Sequence, residues 1–296
     1  MQHELKTTVK IPGADGRIAE PGYARTEILE YCRENIKAPW FRKKEWDYYL
    51  FTNEHFGLAF TISDLGYVGL LSVSFIDFDA VTEHTETELS VLPRGVAFGL
   101  GTKVADAHAV CHTKRLDMSF ENADGKRHIS CSFKNFDGDK NFACELDVYE
   151  PDMEAMFIAT PWAQKDTAFY YNCKKNCLTA EGTCTYGDRV EEIKKEETTG
   201  CLDWGRGVWT YDNTWYWGTG SGYITGELFG FNLGYGFSDR SSASENCIYY
   251  KGRIHKLSEI TFNIPEDEKG NKKYTDAWTI TSDDDRFNAT FAPILD

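Results

Sequence analysis

The chain has 296 residues, enough for one large domain or two of about 150 residues each, with a core that needs no disulfide staples. A composition of 41% hydrophobic and 27% charged residues excludes disorder and collagen-like structure, while the aromatic fraction of 15% is high for a soluble globular protein. The 47 acidic residues against 32 basic ones leave a formal charge of -15, which would repel a phosphate backbone or an anionic membrane surface and so counts against nucleic acid as a partner.

Near the start, TEILEYCREN is the one stretch of helical character, with Thr26 as a cap and Ile28, Leu29 and Cys32 on one apolar side. Over residues 46–78, WDYYLF, FGLAFTI and YVGLLSVSFIDF are separated by TNEH and SDLG, which predicts a three-strand antiparallel meander. RLDMSF, RHISCSF and NFACELDVY predict a second meander, with Asp124-Gly125 and Asp137-Gly138 supplying the positive-φ turn chemistry that tight hairpins need. After Pro151 the pattern restarts with EAMFIATPW. The charged tract DRVEEIKKEETTG (188–200) reads as a solvated loop, with a short exposed helix over EEIKKEE as the alternative. A polar loop, PEDEKGNKK, precedes the final pair WTITS and RFNATFAP, which turns at Asp283, Asp284 and Asp285.

Many short antiparallel strands and few short helices predict an all-β fold of two consecutive antiparallel barrels or strongly curved sheets: an N-terminal domain over 1–152 and a C-terminal one over 153–296. A β-propeller would show a unit recurring every roughly 40–50 residues, and none is found. No apolar run approaches the roughly 18 residues of a membrane-spanning helix. The N-terminus lacks the apolar stretch of a secretory signal, and nine dispersed cysteines fit a reducing cytoplasm.

The most unusual segment is CLDWGRGVWTYDNTWYWGTGSGYITGELFGFNLGYGF, residues 201–237. It holds Trp204, Trp209, Trp215 and Trp217, half of the eight tryptophans, among many glycines. Rings that supply apolar area, interleaved with residues that let backbone approach a ligand, build a cavity wall; the alternative is a packed barrel interior with glycine at strand bends. Asp203, Arg206, Asp212, Asn213 and Asn232 lie within it. A carboxylate among rings tends to keep its proton, as a general acid must. Asp203, Arg206 and Asp212 are therefore the candidate catalytic residues, and Trp204, Trp209, Trp215, Trp217 and Asn232 candidate ligand contacts. The structural alternative is an Asp203–Arg206 ion pair fixing the entry to a strand.

PRGVAFGLGTKVADAHAVCHTKR holds a second cluster: Arg94, Asp106, His108 and His112. On a strand the last three would share a face, so Asp106 and His108 are added as ligand contacts, whereas a metal site would need a fourth contact that is not apparent. Cys173, Cys177, Cys184 and Cys201 lack the Cys-x2-Cys spacing of a zinc knuckle and read as ordinary thiols. There is no dinucleotide fingerprint, phosphate loop or nucleophile elbow, and neither a metal nor a cofactor is expected.

The blocks KEWDYYLFTNEHFGLAFTISDLGYVGLLSVSFIDF, LPRGVAFGLGTKVADAHAVCHTKRLDMSF, LDWGRGVWTYDNTWYWG and FGFNLGYGFSDRSSASEN resemble the bacterial and fungal family known as domain of unknown function 2804, from about Gly13 to the terminal FAPILD. That family lends no activity. More remotely the chain resembles the two-domain lipocalin-type, or calycin-like, proteins that include carotenoid 1,2-hydratases, tocopherol cyclase and fungal Diels–Alderases. This second resemblance implies two consecutive small barrels with a ligand cavity in or between them.

The expected partner is a largely apolar or aromatic small molecule. If the protein is an enzyme, hydration, isomerisation or cyclisation fits best: Asp203 or Asp212 protonates an unsaturated carbon, Arg206 tunes the acid, and tryptophan faces stabilise the developing cation. The alternatives are a non-catalytic lipid or small-molecule carrier and a carbohydrate-active enzyme with paired carboxylates. No membrane span is expected.

Overall fold

The structure, a computed structural model, describes residues 2–106, 108–123, 126–235 and 238–294. Three short strands open it: β1 (Val9–Ile11), β2 (Gly22–Ala24) and β3 (Leu29–Tyr31). The first meander forms over β4 (Lys43–Thr52), β5 (Phe56–Asp64) and β6 (Val68–Asp77), and β7 (Thr82–Val91) extends it. After β8 (Ala109–His112), the second meander forms over β9 (Leu116–Ala123), β10 (Lys126–Asp137) and β11 (Lys140–Tyr149). Next come β12 (Met156–Trp162), β13 (Lys165–Tyr186), β14 (Arg189–Ile193) and β15 (Thr199–Val208). A four-stranded sheet takes β16 (Tyr216–Ile224), β17 (Glu227–Tyr235), β18 (Cys247–Tyr250) and β19 (Arg253–Lys256). A three-stranded sheet takes β20 (Ile260–Asn263), β21 (Trp278–Ser282) and β22 (Asn288–Phe291), the last two being the expected terminal pair.

The fold is all-β, and its main body is one antiparallel sheet curled into a half-barrel. The strand order is β7-β6-β5-β4-β15-β13-β11-β10-β9-β8, with β12 and β14 also paired to β13 and β2 to β12. Strands on both sides of residue 152 share this sheet, because β13 and β15 sit between the two meanders. The small four-stranded sheet packs on its outer face. Asn176 Nδ2 donates to Thr219 Oγ1 (2.7 Å) and to the Phe231 carbonyl (3.0 Å), and Tyr249 Oη donates to the Lys174 carbonyl (2.9 Å).

Side-chain alternation on β4 and β15 is what separates core from site. Glu45, Asp47, Tyr49 and Phe51 of β4 point into the half-barrel, while Trp46 and Tyr48 lie on the outer face. Across the register, Asp47 opposes Trp204 and Tyr48 opposes Asp203, so Trp204 and Arg206 face in and Asp203 faces out. On β13 the parity changes at a bulge. The register with β15 shifts between Asn176 and Leu178, and Cys177 there takes a φ of 64°. Before the bulge Tyr171 and Cys173 face in, opposite Arg206 and Trp204; beyond it Ala180 and Cys184 face in, opposite Val148 and Cys144 of β11. This switch lets one strand present Lys174 outward and still continue the core.

Two expectations are corrected. TEILEYCREN is not a helix: Leu29 and Tyr31 are buried at a spacing of two on β3, which pairs in parallel with β1, and the Leu29 carbonyl accepts from Tyr171 Oη (3.0 Å) rather than from a helical amide. Helical structure in the described residues is limited to the 3-10 turns Arg33–Asn35 and Trp40–Arg42. The charged tract after Gly187 begins as a strand, because β14 pairs with β13 through Tyr186↔Arg189 and Thr185↔Val190. Asp137-Gly138 turns as expected, with Gly138 at φ 64°, whereas Asp124-Gly125 lies outside the described residues.

Inside the half-barrel, buried charges are paired. Arg33 forms two hydrogen bonds with the Glu45 carboxylate (2.9 and 2.7 Å), and Arg206 Nη1 donates to Asp47 Oδ1 (2.9 Å). Arg33, Arg127 and Arg206 also donate to the carbonyls of Leu100, Val104 and Gly101, pinning the loop that covers this end. Removing one partner of a buried pair strands the other. Arg206→Met is expected to cost about 3–5 kcal/mol in urea unfolding, and adding Asp47→Leu to recover part of that loss; a double variant less stable than the single one would contradict this account.

Candidate functional site

Between the outer face of the large sheet and the small sheet lies a cavity of ≈ 160 Å³. It is lined by Trp46 of β4, Tyr170 and Lys174 of β13, Asp203 of β15, Trp209 and Trp215 of the following loop, Trp217 of β16, and Glu245 just before β18. The rings brace one another edge to face: Trp46 on Trp209 at 5.2 Å and Trp209 on Trp215 at 6.1 Å between centroids. A wider open hollow of ≈ 830 Å³ at the far hairpin turns is lined by charged groups that already pair with each other, Arg189 with Asp77 and Lys140 with Asp137.

The floor of the aromatic cavity is ionic. Lys174, 3% exposed, donates from Nζ to Asp203 Oδ2 (2.6 Å) and approaches Glu245 Oε2 (3.2 Å), with the ammonium 4.8 Å from the Trp217 ring centroid. Asp203 Oδ1 accepts from Asn172 Nδ2 (2.6 Å) and Trp46 Nε1 (3.3 Å). Burial alone would push the Lys174 ammonium toward losing its proton, but the charges of Asp203 and Glu245 outweigh it and hold the group above its ordinary value. The Tyr170 phenol is held well above its usual range by burial first and then by the charges of Glu245 and Asp203, so it stays neutral.

Two glycines make room for this arrangement. A Cβ on Gly205 would fall 2.0 Å from the Trp46 ring, and one on Gly234 would fall 1.9 Å from Glu245 Oε1. Their empty positions admit a cavity wall and a carboxylate. Asn232, buried on β17, accepts from Trp217 Nε1 (2.8 Å) and donates to the Glu245 carbonyl (3.1 Å), positioning both lining residues.

Of the residues singled out in the sequence, Asp203, Trp209, Trp215 and Trp217 line the cavity, and Asn232 supports it from behind. Trp204 and Arg206 lie on the opposite face of β15, where the guanidinium sits 4.0 Å from the Trp204 ring centroid and pairs with Asp47, so Arg206 pairs with neither Asp203 nor a ligand on the outer face. Asp212 is exposed in the loop after β15, where Asn213 accepts from Trp162 Nε1 (2.9 Å). Asp106 and His108 are exposed and precede β8, away from the cavity; His112 meets Asp117 on the surface (2.8 Å), and Arg94 lies over Trp40. Cys173, Cys177, Cys184 and Cys201 are buried, and burial pushes the Cys177, Cys184 and Cys201 thiols up to about 12, far from the thiolate a metal takes. Among the described residues no group of His, Cys, Asp and Glu is arranged to hold a metal.

Lys174, Glu245, Tyr170 and Trp46 were not singled out. One signal was available: Lys174 and Lys175 interrupt an otherwise buried strand, and a lysine there needs a carboxylate.

The sequence model of the family described as Domain of unknown function (DUF2804) matches residues 2–296. The chain belongs to this family. No curated protein matches the sequence. Among solved structures, the DUF2804 chain is similar to a protein provisionally assigned as AttH from Nitrosomonas europaea, at 12% identity and a TM-score of 0.56, over 90% of this chain and 85% of that one. It is also similar to kievitone hydratase from Nectria haematococca, at 10% identity and a TM-score of 0.48, over 81% of this chain and 72% of that one. The first likeness is one of fold. No helix among the described residues of the DUF2804 chain is long and apolar enough to cross a membrane.

The Lys174 site carries a pH signature. Because the folded chain holds this proton more tightly than the unfolded one, the contribution of Lys174 is fully present below about pH 10.5 and is lost as pH rises through the higher folded value. The stability gap between wild type and Lys174→Met, measured by urea unfolding, is expected to be constant from pH 7 to about 10 and to shrink above that. A gap that widens above pH 10.5 would contradict the assignment.

Proposed function

We propose that the protein binds a small, largely apolar molecule between the tryptophans and moves a proton to or from it, in a hydration, isomerisation or cyclisation. The observation that carries this reading is the buried Lys174 held between Asp203 and Glu245 at the floor of an aromatic cavity. One ammonium between two carboxylates leaves a single negative charge. A proton placed on one carboxylate brings the triad to neutrality, so the site can take up and return a proton where few other charges are near.

The roles follow from the contacts. Asp203 accepts three donors and acts as the fixed anion. Glu245 carries the mobile proton, Lys174 tunes it, and Tyr170 positions it. The faces of Trp46, Trp209, Trp215 and Trp217 stabilise positive charge developing on an unsaturated ligand. These assignments keep Asp203 from the sequence reading and replace Arg206 and Asp212 with Lys174 and Glu245. The carbohydrate reading loses ground, because Lys174 Nζ fills the space between the carboxylates that a glycosidic bond would need.

The test uses the compound that extracts with the purified protein, returned to emptied protein in D2O. Wild type is expected to incorporate deuterium at carbon, and Glu245→Gln to slow this by about 10²–10⁴-fold while still binding the compound. Binding without any exchange by wild type would favour the carrier instead.

A further inference from the structure

The net charge of -15 hides a local reversal. Residues 37–44, KAPWFRKK, contain four cations, two large aromatic residues and no carboxylate. The 3-10 turn Trp40–Arg42 leaves Trp40 (39%) and Phe41 (38%) exposed, packed edge to face at 5.7 Å. Two further segments meet this turn. Gly66 packs so closely that a Cβ there would fall 2.7 Å from the Trp40 carbonyl, and Gly66 and Tyr67 accept backbone hydrogen bonds from Arg94 (3.1 Å) and Leu92 (3.1 Å). Tyr67 (51%), Leu92 (46%) and Val96 (80%) are exposed beside them.

The cations sit over these rings. Arg94 lies 5.5 Å from the Trp40 centroid and Lys44 4.5 Å from that of Tyr67. Among the described residues none of Arg42, Lys43, Lys44 and Arg94 forms an ion pair with a carboxylate, although the chain carries an excess of them. Asp64, whose charge acts on Lys44, is buried and occupied by the amides of Gly66 and Gly95. Arg42 and Lys44 already donate to the carbonyls of Trp209, Phe41 and Leu65, so Lys43 and Arg94 are the cations left beside these exposed rings and aliphatic side chains, and together they form a surface that gains from apolar insertion and anionic headgroups.

We propose that this patch docks the protein on an anionic phospholipid bilayer, as a peripheral contact with Trp40, Phe41 and Leu92 at the headgroup level. The patch adjoins the cavity. Arg42 donates to the Trp209 carbonyl and its guanidinium lies 3.8 Å from the Tyr211 centroid, while Trp209 and the half-exposed Trp215 (52%) line the cavity. A docked molecule would thus present its aromatic cavity near the membrane, where apolar ligands concentrate. The docking itself stands whatever chemistry the cavity performs.

The experiment is co-sedimentation of the full chain with vesicles of phosphatidylcholine alone and of phosphatidylcholine mixed with phosphatidylglycerol, at low and high salt. Binding is expected to the anionic vesicles only, to weaken with salt, and to protect Trp40 fluorescence from a water-soluble quencher. Lys43→Gln with Arg94→Gln should weaken it by about 25-fold, roughly fivefold per cation removed. Trp40→Ser with Phe41→Ser should abolish it, the fold of both variants being checked by circular dichroism. Equal binding to both vesicle types, or folded variants that bind like wild type, would overturn the proposal. So would retention on soluble heparin without vesicle binding, which would make the partner an acidic macromolecule. A wild-type dimer in solution that the Trp40→Ser, Phe41→Ser variant loses would overturn it in favour of a second copy.

Discussion

Lys174 Nζ is nearly excluded from water, and dehydrating an ammonium costs several kcal/mol unless strong partners replace the solvent. Here Asp203 reaches it from the neighbouring strand of the large sheet and Glu245 from the segment that enters β18 of the small sheet. The ion triad therefore joins the two sheets at one point, and the cavity lies where they meet. The backbone carbonyl of Lys174 also accepts from the buried Tyr249 of β18, so both ends of the residue engage the small sheet.

Around this point, ordinary strand rules build the rest. Alternation on β15 sends Trp204 and Arg206 into the half-barrel and Asp203 outward, so adjacent residues serve core and site separately. The bulge at Cys177 sets the parity of β13 so that Tyr170, Asn172 and Lys174 share the outer face with Asp203. Gly205 and Gly234 then leave space on the two facing sheets, one for the Trp46 ring and one for the Glu245 carboxylate. The aromatic wall, the ionic floor and the gaps that receive them arise where β4, β13 and β15 of the large sheet meet β16, β17 and the segment before β18 of the small one.

Much of this was legible in the residues. The two meanders, the Asp137-Gly138 hairpin and the tryptophan-glycine segment all carry strong local signals, and Asp203 with three of the four tryptophans does line the cavity. The pairing of Asp203 with Arg206 failed for a reason already in the spacing, since residues three apart on a strand face opposite sides. Lys174 and Glu245 were harder to find. They come from segments 71 residues apart (174 to 245), and their meeting depends on a bulge at a cysteine, a residue type that does not announce positive φ. The strand β3 was hidden because its pairing with β1 and the Tyr171 hydroxyl bond override a local pattern that looks helical. A net charge summed over the chain likewise conceals the cation-rich run at 37–44.

The central claim is that the aromatic cavity over Lys174 holds a small apolar molecule, and native mass spectrometry of the purified protein addresses it directly. The account predicts an added mass on wild type that organic extraction releases, and its loss when Gly205→Ala pushes the Trp46 ring into the cavity or Trp217→Ala opens the wall. A folded wild type that carries no added mass and binds none of a panel of apolar compounds, or one whose bound mass is unaffected by both substitutions, would contradict it.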